Sequence, residues 1–86
     1  MLLSEPDIRH LVFSNVVQMI AEWGFIVGVE SKSFSKHLNI NEDVLENTLK
    51  ELDQIGLLFV KRKKYKGEVT YELKSTEHVK NLIRNT

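Results

Sequence analysis

At Gly56 the spacing of apolar residues changes period, and this constrains the fold more than any other feature of the chain. Upstream, Leu45, Leu49, Leu52 and Ile55 step by four, three and three, which is one face of one helix. Downstream, Leu57-Leu58-Phe59-Val60 is a continuous apolar run and Val69-Thr70-Tyr71-Glu72-Leu73-Lys74 alternates strictly, the pattern of two strands joined by a polar turn over 61–67. Val69, Tyr71 and Leu73 then face a core, Thr70, Glu72 and Lys74 face solvent, and Gly67 supplies a positive φ in the turn. A helix run directly into a β-hairpin places the chain in the α+β class.

The residues before this junction are mostly helical. Ser4-Glu5-Pro6-Asp7 has the form of a helix start, and Ile8, Leu11, Val12, Val16, Met19, Ile20 and Trp23 keep helical spacing up to Gly24, predicting a helix over 7–23. Phe13 and Val17 add apolar surface beside that stripe, more than a small sheet or a helix pair covers. Phe25-Ile26-Val27-Gly28-Val29 is too short for a second helix and rich in β-branched residues, predicting a strand over 25–29. Ser31 or Ser33 then caps a brief helix over 33–37, and Asn41 caps a longer one over 42–55, with Glu42 and Asp43 at its positive end and Gly56 as the left-handed stop. After the hairpin over 57–74, Ser75 or Thr76 caps a last helix over 76–84 with Val79, Leu82 and Ile83 on one side. No repeat and no Pro or Gly cluster divides the chain, so 1–86 is expected to pack as a single domain.

Composition narrows the function classes. With 42% hydrophobic and 28% charged residues the chain is not of the disordered class, but 86 residues bury only roughly 60% of the unfolded surface, and with no Cys there is no disulfide to help; oligomerisation is one remedy. The absence of Cys also removes thiolate metal sites and Cys nucleophiles, and is compatible with a reducing compartment. The most apolar stretch, 11–29, carries Asn15, Gln18 and Glu22 and breaks at Gly24, so no spanning helix and no membrane partner are expected. The N-terminal residues lack the basic region and cleavage site of a secretory signal, which makes the cytoplasm the expected location.

The charges are unevenly spread. The formal net charge is zero, yet residues 1–59 hold nine acids against four bases and residues 60–86 hold eight bases against three acids. Five of those eight bases fall within 61–66, so the asymmetry is a local basic patch.

The element order resembles a winged helix-turn-helix domain over about residues 8–74. Phe34-Ser35-Lys36-His37-Leu38-Asn39-Ile40-Asn41 resembles the helix-turn of bacterial and archaeal winged-helix transcription regulators of the MarR-like group. Their pattern is an apolar residue, a small one, two variable residues, Leu, Gly, an apolar residue and a capping Ser or Thr. Asn39 stands where that pattern has Gly, and Asn tolerates the left-handed conformation of a tight turn. Val44, Leu45, Leu49, Leu52 and Gly56-Leu57-Leu58 resemble the recognition helix leading into the first wing strand.

The resemblance implies a transcriptional regulator that binds double-stranded DNA through the second helix and the wing. It also implies a homodimer paired through the first and last helices, at Phe13, Val17, Val79, Leu82 and Ile83. Two copies would sit about 34 Å apart along a near-palindromic site. The wing candidates are Lys61, Arg62, Lys63, Lys64, Tyr65 and Lys66, where cations and an aromatic can reach phosphates or a minor groove; the bland alternative is a solvated turn whose lysines discourage edge pairing. In the helix-turn-helix, Ser33, Ser35 and Lys36 would touch the backbone, and Asn41, Glu46, Asn47 and Lys50 lie where base edges are read. Glu42 and Asp43 carry the wrong sign for phosphate, which leaves a second reading open: a protein-interaction module whose acidic helix over 42–55 meets a basic partner.

Other chemistries are not expected. His10, His37 and His78 fall on three elements without ligand spacing, and no phosphate loop, nucleophile elbow or nucleophile-base pair occurs, so neither metal, cofactor nor enzymatic activity is expected. Phe13, Trp23, Phe25 and Phe34 are assigned to core or dimer contacts, and RNA is the weaker ligand, because the chain lacks the exposed aromatic platform of single-strand binders.

Overall fold

The first three helices of the chain end where the sequence supplies a residue of positive φ, and those stops set the architecture. The computed structural model describes residues 5–24 and 26–84, with side chains placed for 7–24 and 26–81. In chain order it comprises α1 (Glu5–Trp23), β1 (Ile26–Glu30), α2 (Ser31–Leu38), α3 (Glu42–Gln54), β2 (Leu58–Tyr65), β3 (Glu68–Ser75) and α4 (Glu77–Arg84). The predicted elements are all present, shifted by one or two residues at most of their ends. Ser4 and Phe25, predicted as a cap and a strand residue, and the side chains of Leu82 and Ile83, predicted in the dimer face, lie outside the described residues.

α1 stops at Gly24 (φ 115°), whose N–H donates to the Ile20 carbonyl at 2.9 Å. α2 stops at Asn39 (φ 58°, ψ 42°), as the left-handed reading of that position requires, with Asn39 N–H on the Lys36 carbonyl and Ile40 N–H on that of Ser35. α3 closes in the same way: Gly56 N–H bonds the Asp53 carbonyl and Leu57 N–H that of Leu52, each at 3.0 Å. At its start, Asn41 Oδ1 accepts the Val44 N–H at 2.8 Å, as expected of a cap. α2 departs from expectation, because β1 runs directly into it: Glu30 occupies the cap position without a side-chain bond, and Ser31 is buried as the first helical residue. Of the two caps open for α4, Thr76 is used, its Oγ1 accepting the Val79 N–H at 3.5 Å.

The sheet is antiparallel with order β1-β3-β2, so β3 is central and both β1 and β2 are edges. One face carries Val27, Leu58, Tyr71 and Leu73 and closes over Val12, Val16 and Ile20 of α1, Phe34 and Leu38 of α2, and Leu45, Leu49 and Leu52 of α3. The result is a winged-helix-like arrangement: three helices on one sheet face and a hairpin that outruns the third strand.

Two apolar assignments change. The core line of α1 runs Val12, Val16, Ile20 in steps of four and continues to Gly24, not Trp23, so Trp23 is 78% exposed. Ile55 lies one residue past α3 with φ −86° and ψ 2°, which turns it out of the leucine stripe and leaves it 59% exposed.

Candidate nucleic-acid interface

The basic segment is strand, not turn. β2 and β3 stay paired from Leu58 with Ser75 to Tyr65 with Glu68, and only Lys66 (φ 50°) and Gly67 (φ 81°) form the connection. Two successive left-handed residues in a two-residue loop match the right-handed twist of the strands, and this geometry replaces the longer polar turn expected over 61–67. β1 pairs with β3 only as far as Glu30 with Thr70, so the hairpin from Lys64 to Val69 projects as a two-stranded wing.

Strand geometry then divides the wing candidates between two faces, since residues opposite each other across antiparallel strands point the same way. Arg62 pairs with Tyr71 and Lys64 with Val69, placing both on the helix-facing side. Lys61, Lys63 and Tyr65 lie on the other face, in line with Phe59.

Arg62 is committed within the chain. Its Nε donates to Glu46 Oε1 of α3 at 2.7 Å, so a predicted wing contact and a predicted base-reading residue engage each other. Tyr71, 3% exposed, lies beside them: burial pushes its phenol above the ordinary 10.0, Arg62 and Ser31 bonded to it pull the other way, and the Glu46 carboxylate adds to the rise. A groove of about 260 Å³ between α3 and β2 is lined by Glu46, Lys50, Asp53, Gln54, Val60 and Arg62, among others. Asp53 Oδ2 accepts the Val60 N–H there at 2.8 Å, occupying an edge donor of β2 and fixing the end of α3 to the wing strand.

The remaining candidates scatter. Ser33 and Lys36 are exposed on α2, but Ser35 is buried and its hydroxyl donates to the Lys32 carbonyl at 3.0 Å, so it faces away from any ligand. Asn41 is used as a cap. Asn47 is exposed but lines a second groove toward α1, with Ile8, Arg9, Val44, Thr48 and Glu51, whereas Lys50 faces the wing. Glu42 and Asp43 occupy the first turn of α3, where they favour the helix dipole whatever the ligand. Of the dimer candidates, Phe13 and Val17 are half-buried on α1, and Val79 is 1% exposed within its own chain and so is closed to a second copy.

On the wing, Lys63 Nζ donates to Glu72 Oε2 at 3.4 Å, and Lys66 Nζ lies 5.4 Å from the Tyr65 ring centroid. Among the described residues no carboxylate lies within ion-pair distance of Lys61, Lys64 or Lys66. The sequence reading missed Phe59, which is 57% exposed and shares its face with Tyr65, 74% exposed. The period-two alternation of 58–60, carried on through the basic run, was the signal that would have found it. No protein-family model matches the chain, and no curated protein matches it in sequence.

Proposed function

We propose that the chain is a small winged-helix DNA-binding protein, of the MarR-like kind of transcriptional regulator, that contacts duplex DNA as a homodimer through its wing. The observation that carries this reading is the placement of Lys64 and Lys66 on the projecting part of the hairpin, with no carboxylate in ion-pair distance among the described residues. On the helix-facing side, Lys50 and Lys36 extend the positive path on α3 and α2. The wing meets phosphates, and the acidic first turn of α3 stands back from the major groove, so binding depends more on backbone than on base edges.

Fluorescence anisotropy on mixed-sequence duplex, titrated across salt, tests the reading. Lys64→Gln combined with Lys66→Asn removes two cations, the second with an Asn suited to the left-handed position. The salt slope should fall by about two units, because each neutralised phosphate contributes roughly 0.9. A slope equal to that of the wild type sinks the wing assignment.

The exposed Glu42 and Asp43 favour a second reading, a module that docks a basic protein through α3. Replacing both by Lys separates the two: DNA affinity rises if the helix lies near the duplex, and binding of a basic partner disappears if that partner is the ligand.

A further inference from the structure

We infer that the outer face of the sheet, opposite the helices, is a binding surface for single-stranded nucleic acid, a ligand class beyond the duplex proposed above. Along β2 this face presents Phe59, Lys61, Lys63 and Tyr65 in succession, an aromatic at each end and two cations between. Phe59 is 57% exposed and Tyr65 74% exposed, so both rings are open for stacking. At about 3.3 Å per residue they stand roughly 20 Å apart, enough for several nucleotides of an extended strand. Lys66 extends the cation row at the turn.

Beside this row lies a shallow dish of about 310 Å³, walled by Ile26, Glu30, Lys63, Thr70 and Glu72 and floored by Gly28. Gly28 is the reason for the dish: it pairs with Glu72 at the centre of the face, and a Cβ there would meet nothing within 4 Å. Cations flank the aromatics along this edge: Lys61 and Lys63 lie between the rings on β2 and Lys74 of β3 stands opposite Phe59, whereas the acids of the face, Glu30, Glu68 and Glu72, belong to β1 and β3. Phosphates run along the lysines, Lys63 giving up its exposed 3.4 Å contact with Glu72 for one of them; bases stack on Phe59 and Tyr65, and a base turned inward over the dish meets Thr70 and the Glu72 carboxylate so released, which accept from exocyclic amino groups. Duplex DNA cannot use this arrangement, because its base faces are stacked on one another and closed to the rings.

The test is anisotropy with labelled strands of about 12 nucleotides without self-pairing, in DNA and in RNA, beside a duplex of the same sequence. Phe59→Ala removes a ring that the duplex proposal does not use, and Gly28→Val fills the dish at a position where the backbone is not left-handed and space is open. The wild type should bind one or both strands in a salt-sensitive way, Phe59→Ala should weaken that binding about tenfold, and Gly28→Val should weaken it without lowering the melting temperature. Duplex affinity should be unchanged in both variants. The DNA and RNA arms show which backbone is preferred. No strand binding by the wild type at low salt, or strand binding unaltered in both variants, overturns the inference and leaves the duplex proposal standing; loss of duplex binding alone overturns the duplex proposal and leaves this one.

Discussion

Asn39 shows how much one residue can decide here. A left-handed backbone costs an ordinary L-residue roughly 1–2 kcal/mol, and Asn is among the few side chains that adopt it routinely. With φ 58° it turns α2 back toward α3 and lets Ile40 N–H reach the Ser35 carbonyl at 3.0 Å. Asn39→Ala should therefore lower stability by about 1 kcal/mol, whereas Asn39→Gly should be close to neutral, both read from urea midpoints. Tyr71 gives a pH-dependent prediction. The unfolded phenol ionises near 10.0 and the folded one above it, because burial disfavours the charged form. As pH rises through that window the unfolded chain binds fewer protons than the folded one, so stability is full below it and declines within it. Melting temperatures measured from neutral to alkaline pH should show this decline in the wild type and a shallower one in Tyr71→Phe.

For the elements, the wing is the informative case. Its cations were visible as a cluster, but the reading of 61–67 as a loop hid the alternation that decides which of them can meet a ligand. Polar residues in succession look like a turn by composition, whereas the hairpin has its turn in Lys66-Gly67 alone. Lys66→Asn places the preferred Asn-Gly pair in this two-residue loop. Thermal stability should rise by a few tenths of a kcal/mol while duplex affinity falls at low salt, a separation that circular dichroism melts and anisotropy check together. The Arg62–Glu46 pair links the same hairpin to α3 at 2.7 Å, and its partial exposure limits its stabilising effect to about 1 kcal/mol. Glu46→Gln should free Arg62 for phosphate and raise duplex affinity several-fold in the same assay.

At the scale of the whole molecule, the half-buried Phe13 and Val17 on α1 remain the surface for a second copy in the proposed homodimer. Light scattering should return twice the chain mass, and Val17→Glu should return a single chain, since an unpaired carboxylate in an apolar contact is strongly unfavourable. Much of the fold was legible beforehand. Helix and strand periods, the caps at Asn41 and Gly56 and the left-handed Asn39 are local properties, set by residues within a turn or two of one another. The sequence by itself thus determined the element order, the three core leucines of α3, the core-facing residues of β3, and the concentration of positive charge in one hairpin. Three things were decided only by the tertiary structure. Arg62 is withdrawn onto Glu46, Ser35 is turned inward, and Phe59 is brought into line with Tyr65 on an open sheet face. The Arg62–Glu46 contact depends on the register of β2 against β3 and on the placement of that sheet over α3, the burial of Ser35 on how α2 packs, and the exposure of Phe59 on a sheet face left uncovered by the helices; these relations join residues distant along the chain, which local spacing alone does not set.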